Sequence, residues 1–214
     1  MIRIAPSILA ADFLNLGKDV EVVNRSADIF HLDIMDGTFV PNLSFGFPVV
    51  EAIVKKAEKP LDVHLMIVSP WKYVERFAAV KGVDMLSFHY EAALERTGET
   101  IDLIHSLGVK AGIAINPDCA VESVYPYLDK VDFILIMSVF AGFGGQKFIP
   151  ESLERISALK AEITRRGLNV EIEVDGGVGP ENADALKAAG ASILVAGSSV
   201  FKAPSPQDAI DAMR

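Results

Sequence analysis

Four ionisable side chains stand inside runs whose other residues read as buried strand. His31 and Asp33 lie two apart in DIFHLDI at 28–34, His64 lies in LDVHLMI at 61–67, and Asp175 ends VEIEVD at 170–175. Residues two apart on a strand share a face, so His31 and Asp33 point the same way. Burying such groups in apolar surroundings is costly unless each finds a partner. One divalent cation would satisfy all four together. Two imidazole nitrogens and two carboxylates suit Zn²⁺, Fe²⁺ or Mn²⁺ better than Ca²⁺, and ligand type does not choose among the three. A single buried histidine is more often a hydrogen-bonded core residue, but four such groups at strand ends on three strands read as one site.

Glycine-rich stretches follow three of the later strands: AGFGGQ at 141–146, DGGVG at 175–179 and AGSSVF at 196–201. Glycine lets backbone N–H groups come close to an anion, and a helix start adds favourable dipoles. In a barrel of parallel strands, the loops after strands seven and eight form the usual phosphate site. Such a site needs no lysine or arginine.

The elements that position these groups alternate along the whole chain. Eight runs rich in Ile, Val and Leu predict strands at 2–9, 28–34, 61–67, 85–90, 110–115, 133–138, 170–175 and 192–197. Segments of helical period separate them, including 47–58, 69–80 and 150–167, and Gly82, Gly108, Gly167 and Gly190 are placed to stop helices. This is the pattern of βαβ units around a parallel sheet. No linker or composition step divides the chain, so residues 1–214 are expected to form one domain. Eight units in 214 residues favour a closed (β/α)₈ TIM barrel of the α/β class over a doubly wound open sheet, which usually carries fewer strands. The active site would then lie at the carboxyl ends of the strands.

Composition narrows the partners. A formal net charge of −9 argues against a large nucleic-acid footprint or an anionic membrane surface. Cys119 is the sole cysteine and can form no internal disulfide, which fits a reducing compartment and predicts a cytoplasmic protein. The stretch MIRIAPSILAADF lacks the sections of a signal peptide, and no apolar run approaches the roughly eighteen residues of a membrane span.

Taken together, HLDIMDGTFVPNLSFG at 31–46, LDVHLMI at 61–67, SVFAGFGGQKFIP at 138–150 and EVDGGV at 173–178 resemble the ribulose-phosphate 3-epimerase family. The resemblance runs from APSILAADF at 5–13 to Ser198 and so covers nearly the whole chain. It implies that His31, Asp33, His64 and Asp175 hold one divalent metal ion per subunit, that Asp33 and Asp175 are the acid and base, and that Ser7 and His64 touch the substrate. Gly142, Phe143, Gly144, Gly145, Gly176, Gly177, Gly197 and Ser198 would match the family's substrate and phosphate contacts. It also implies a homo-oligomer, a phosphorylated ketose as substrate, and a place in the pentose phosphate pathway. Inverting a carbon beside a ketone needs a proton removed from one face and another returned to the opposite face, which two opposed carboxylates can do. Asp33 is expected as base in one direction and Asp175 as acid, with the metal stabilising the enediolate between them.

Met35, Met66 and Met137 fall at strand ends, where they would either fill core or, as the resemblance supports, line a dry site. His89 is expected as a hydrogen-bonded core histidine, His105 as a helix-surface residue, Trp71 as an apolar anchor, and Arg165 and Arg166 as a solvated helix end. Where the family commonly has a polar residue and then proline before GFGG, this chain has Phe140 and Ala141. Losing the proline is expected to free the loop and shift substrate affinity, leaving the reaction intact. Rival readings are an epimerase of a six-carbon ketose phosphate such as D-allulose 6-phosphate, a sugar-phosphate lyase of the same fold, and a silent sugar-phosphate binder. The lyase would usually need a lysine that no strand end here supplies.

Overall fold

Each of the eight apolar runs becomes a strand in the computed structural model, which describes residues 2–214. They are β1 Arg3–Pro6, β2 Phe30–Met35, β3 Leu61–Met66, β4 Val83–His89, β5 Lys110–Ile115, β6 Phe133–Met137, β7 Glu171–Asp175 and β8 Ile193–Ala196. Every ladder is parallel, in the order β1-β8-β7-β6-β5-β4-β3-β2. The ends of this sheet meet. Ser7 bridges His31, the Asp28 N–H donates to Ile4 O at 3.0 Å, and the Ile4 N–H donates to Asp28 Oδ2 at 2.8 Å. The result is the expected (β/α)₈ barrel.

Helices α1 Leu16–Ser26, α2 Phe47–Val54, α3 Val74–Ala78, α4 Tyr90–Ala93, α5 Thr97–Ser106, α6 Ser152–Arg166, α7 Ala183–Ala189, α8 Ser198–Phe201 and α9 Pro206–Ala212 cover the outside. A 3-10 segment, Val121–Tyr127, replaces a full helix between β5 and β6. Three expectations need correction. The helix read over 69–80 is broken, because Ser69 turns through a left-handed conformation (φ 51°) into a 3-10 turn at Pro70–Lys72 before α3 begins. The helix read over 47–58 ends at Val54 and finishes as a turn. The strand read over 2–9 stops at Pro6, since Ile8–Ala10 winds into a 3-10 turn at the barrel mouth.

Strand alternation sorts the side chains. Phe30, Leu32 and Ile34 of β2, Leu61, Val63 and Leu65 of β3, and Ile172 and Val174 of β7 pack outward with Val20, Val23, Val50 and Ile53 of the helices. The alternate residues point into the barrel. Ala5, Ile29, Met85, Phe133, Ile193 and Val195 form an apolar cluster there. Towards the carboxyl ends the interior turns polar, with His31, Asp62, Ser87 and Glu173 fully buried and Asp33, His64, His89 and Asp175 alongside or above them. At the opposite end Arg3 pairs with Glu171. The apolar cluster therefore underlies the polar one.

Gly112 of β5 faces this interior, and a Cβ there would lie 2.3 Å from the ring of Phe133, which is fully buried. Space rather than backbone freedom demands glycine. Gly112→Ala is expected to displace Phe133 and lower stability by about 1–3 kcal/mol, as overpacked cores do. Denaturant unfolding checks this, and a variant as stable as the parent would show that the ring has room to move.

Candidate active site

The barrel brings His31, Asp33, His64 and Asp175 together, each offering a ligand atom within 4.8 Å of the others. β2 and β3 run in register, with Asp33 beside His64, so one strand pair delivers three of the four. His31 Nε2 lies 3.3 Å from Asp33 Oδ1, and His64 Nδ1 lies 3.4 Å from the same oxygen. These three atoms are buried and have no hydrogen-bond partner among the described residues. Unpaired polar atoms in such a place are costly, and three of them facing one point beside a second carboxylate fit a bound cation. The cluster can hold a divalent metal ion.

Other contacts fix the orientation of each group. Nδ1 of His31 is 2.6 Å from Asp62 Oδ2 and 3.7 Å from Glu173 Oε1, which leaves Nε2 turned towards Asp33. The Ser7 hydroxyl donates to Asp33 Oδ2 at 2.5 Å, and Ser44 Oγ donates to Asp33 O at 2.5 Å. Ser138 Oγ donates to Asp175 O at 2.9 Å and to Gly176 O at 2.6 Å, pinning the end of β7. The sequence reading missed Asp62 and Glu173. A signal was present, since each lies two residues before a site residue on the same strand and therefore on the same face. His89 is buried and hydrogen-bonded as expected, to His64, with Nε2 to Nε2 at 3.0 Å and ring centroids 5.0 Å apart, and to Asn116, with Nδ1 3.3 Å from Nδ2.

The two aspartates are pushed in opposite directions. Burial alone would raise the pKa of Asp33, but the adjoining His31 and His64 more than offset this and hold its carboxyl far below the usual carboxylate range. Burial and the charge of Asp33 push Asp175 up to about 7. Burial lowers His64 to about 4, whereas His31 is raised well above its ordinary value because Asp33 and Asp62 outweigh its burial. Burial and Asp62 raise Glu173 to about 8.

Above the cluster opens a cleft with about 580 Å³ of atom-free space, part of it continuous with solvent. Ser7, Asp33 and Asp175 line it, as do Gly142, Phe143, Gly144, Gly145, Gly176, Gly177, Gly197 and Ser198. Thus every residue expected to contact substrate reaches this cleft except His64, which sits fully buried below. Met35, Met66 and Met137 line it too and are almost wholly buried. Gly177 has φ +62°, and a Cβ there would lie 2.4 Å from Phe148 N, so only glycine fits. Ser199 Oγ donates to Val178 O at 2.6 Å and ties the two final glycine loops together. Asn42 Nδ2 donates to Gly142 O at 2.8 Å, joining the loops after β2 and β6. At the departure from the family pattern, Phe140 lies at the rim and about half exposed, and the Ala141 N–H donates to Asn116 Oδ1 at 3.0 Å. A proline could not make that bond, so the loop expected to be freed has an anchor of another kind.

The remaining candidates lie elsewhere. His105 pairs with Asp132 at 2.8 Å on the surface, Arg96 covers the ring of Trp71 at 4.4 Å, and Arg165 and Arg166 both bind Glu162.

A model of the ribulose-phosphate 3-epimerase family matches residues 3–201. The ribulose-phosphate 3-epimerase of Synechocystis sp. is 48% identical over 215 residues, covering 100% of this chain and 93% of that protein. The enzyme of the same name from Bacillus subtilis is 45% identical, with 100% and 99% covered, and that of Escherichia coli K12 is 42% identical, with 99% and 94% covered. Among solved structures, KGPDC from Streptococcus mutans superposes with a TM-score of 0.74 at 13% identity, covering 100% of this chain and 95% of that one. A 3-hexulose-6-phosphate synthase superposes with a TM-score of 0.70 at 15% identity, covering 99% and 98%, and both likenesses concern the barrel fold alone. With a family match over nearly its whole length and relatives this similar, the chain belongs to the ribulose-phosphate 3-epimerase family and is an isomerase of the epimerase kind.

Proposed function

We propose that this chain interconverts D-ribulose 5-phosphate and D-xylulose 5-phosphate by proton transfer at the third carbon, with Asp33 and Asp175 as the acid–base pair. The observation that carries the reading is the convergence of a buried carboxylate, held ionised, and a partly buried one, raised towards neutrality, at the floor of one cleft. Opposed environments of this kind sort an acid from a base. In one direction Asp33 takes the proton and Asp175 returns one from the other side, and the roles reverse for the reverse reaction. Ser7, bonded to Asp33 Oδ2, holds that carboxylate and stands in the cleft where it can also meet the substrate.

His31, Asp33, His64 and Asp175 would hold one divalent ion per subunit, Zn²⁺, Fe²⁺ or Mn²⁺. When bound, that ion supplies positive charge to the oxygen beside the carbon that loses its proton. Gly176, Gly177, Gly197 and Ser198 would take the phosphate through backbone N–H groups, since no lysine or arginine is among the described residues lining the cleft. The same lack of lysine weighs against a lyase that forms a Schiff base. Gly142, Phe143, Gly144 and Gly145 would cover the sugar, and Met35, Met66 and Met137 would keep water from it. No helix among the described residues is long and apolar enough to cross a membrane. A cytoplasmic homo-oligomer in the pentose phosphate pathway is the setting proposed.

Solvent deuterium exchange at carbon three tests the reaction directly: label is expected in D-ribulose 5-phosphate and much less in D-allulose 6-phosphate, and the opposite preference would transfer the assignment to the six-carbon ketose. Asp33→Asn and Asp175→Asn are each expected to lower turnover by about 10²–10⁴-fold, and near-normal turnover, at confirmed metal content, would remove that residue from proton transfer. Metal binding is also expected to depend on pH. In the metal-free site Asp175, at about 7, and the raised His31 hold protons that a cation must displace. Affinity should therefore fall as pH drops through 7, by about tenfold per unit for each proton displaced. A Zn²⁺ competition titration with equal affinity at pH 6 and pH 8 would contradict this.

A further inference from the structure

His64 faces two ways. Its Nδ1, 3.4 Å from Asp33 Oδ1, has no hydrogen-bond partner, while its Nε2 lies 3.0 Å from Nε2 of His89. Two imidazole nitrogens at that distance must divide the roles, one donating and one accepting. A histidine that gives its Nδ1 lone pair to a cation is neutral and keeps its proton on Nε2. His89 Nε2 must then accept, which places the proton of a neutral His89 on Nδ1.

Two groups compete for that nitrogen. Glu91 Oε2 is 3.4 Å away and has no other partner, and Asn116 Nδ2 is 3.3 Å away. A carboxylate accepts from an N–H, whereas an amide NH₂ cannot. The Asn116 amide is not free to turn over, because its Oδ1 accepts from the Ala141 N–H at 3.0 Å. Glu91 is held as well, with Oε1 accepting from the Asn116 N–H at 2.8 Å.

We infer that Glu91 and His89 are positioning residues that present His64 to the cation, and that Asn116, directly after β5 and bonded to the loop at Ala141, opposes them. The inference rests on the proposed role of His64 as a ligand. When Glu91 accepts from His89 Nδ1, the order Glu91–His89–His64 leaves the His64 Nδ1 lone pair facing Asp33 and the ion. When Asn116 donates to His89 Nδ1 instead, His89 donates from Nε2 to His64, whose own proton moves to Nδ1 and blocks it. Both arrangements hold the same two imidazole protons, so none is gained or lost. They differ in whether Asn116 spans His89 and Ala141 or holds Ala141 alone, which links metal loading to the loop over the cleft.

NMR of ¹⁵N-histidine-labelled protein loaded with Zn²⁺ tests this. The expected result is zinc on His64 Nδ1 with the His89 proton on Nδ1. If zinc does not bind His64 Nδ1, the proposed ligand set fails. If it does, and His89 carries a proton on Nε2, alone or together with one on Nδ1, the positioning role fails. Glu91→Gln keeps an acceptor for the Asn116 N–H but offers an NH₂ to His89, and is expected to weaken Zn²⁺ binding about tenfold or more. Asn116→Ala removes the opposing donor and is expected to bind Zn²⁺ no more weakly than the parent. Unchanged affinity in a folded Glu91→Gln protein, or a comparable loss in Asn116→Ala, would overturn the inference, and the spectrum of the parent protein decides the matter should either variant fail to fold.

Discussion

Asp33 is the side chain around which the rest is arranged. It is almost wholly buried, with Oδ2 held by Ser7 and Oδ1 placed between His31 Nε2 and His64 Nδ1. A carboxylate can remain ionised at such depth only where positive charge or donors surround it. In the metal-free site the Ser7 hydroxyl and the raised, protonated His31 meet that need, and the outward nitrogens of the two imidazoles must in turn be met, by Asp62 for His31 and by His89 for His64. One buried charge therefore propagates a polar network through the middle of the barrel. That network costs stability, and function is its reason for being there.

The barrel makes this arrangement possible through its two faces. Outward residues pack against helices and carry the folding energy, so inward residues near the carboxyl ends are released for chemistry. An apolar layer centred on Phe133, Met85 and Ile193 seals the interior below, and three methionines line the walls above. Between them His31, Asp33, His64 and His89 are buried, where electrostatic effects are strong. The loops complete the cleft by tying to one another: Asn42 to Gly142, Ser199 to Val178, and Asn116 to Ala141.

Much of this was legible in advance, for identifiable reasons. Eight apolar runs with intervening helical periods are a long-range pattern that local noise does not erase, and all eight strands fell where expected to within a few residues. His31, Asp33, His64 and Asp175 stood out because polar residues in buried strands require explanation. Helix boundaries were less legible. The break at Ser69 and Pro70 depends on a left-handed backbone turn that residue spacing does not reveal, and α2 ends at Val54 although residues of good helix propensity continue to Glu58. Proline's absence at position 141 was visible, but the bond that takes its place was not, because Asn116 is 25 residues away.

The amino-acid sequence by itself determined the order of elements, the polar residues at the strand ends and the glycines of the loops that follow the later strands, since each follows from residue type and short-range period. Tertiary structure decided which atoms meet. The closing bridge at Ser7 and His31, the choice of nitrogen that each histidine turns to the site, and the recruitment of Asp62, Glu173 and His89 all depend on the register between strands distant in the chain. Periodicity says which face a side chain occupies, but only the packed barrel sets its height on that face, and hydrogen bonds act over tenths of an ångström.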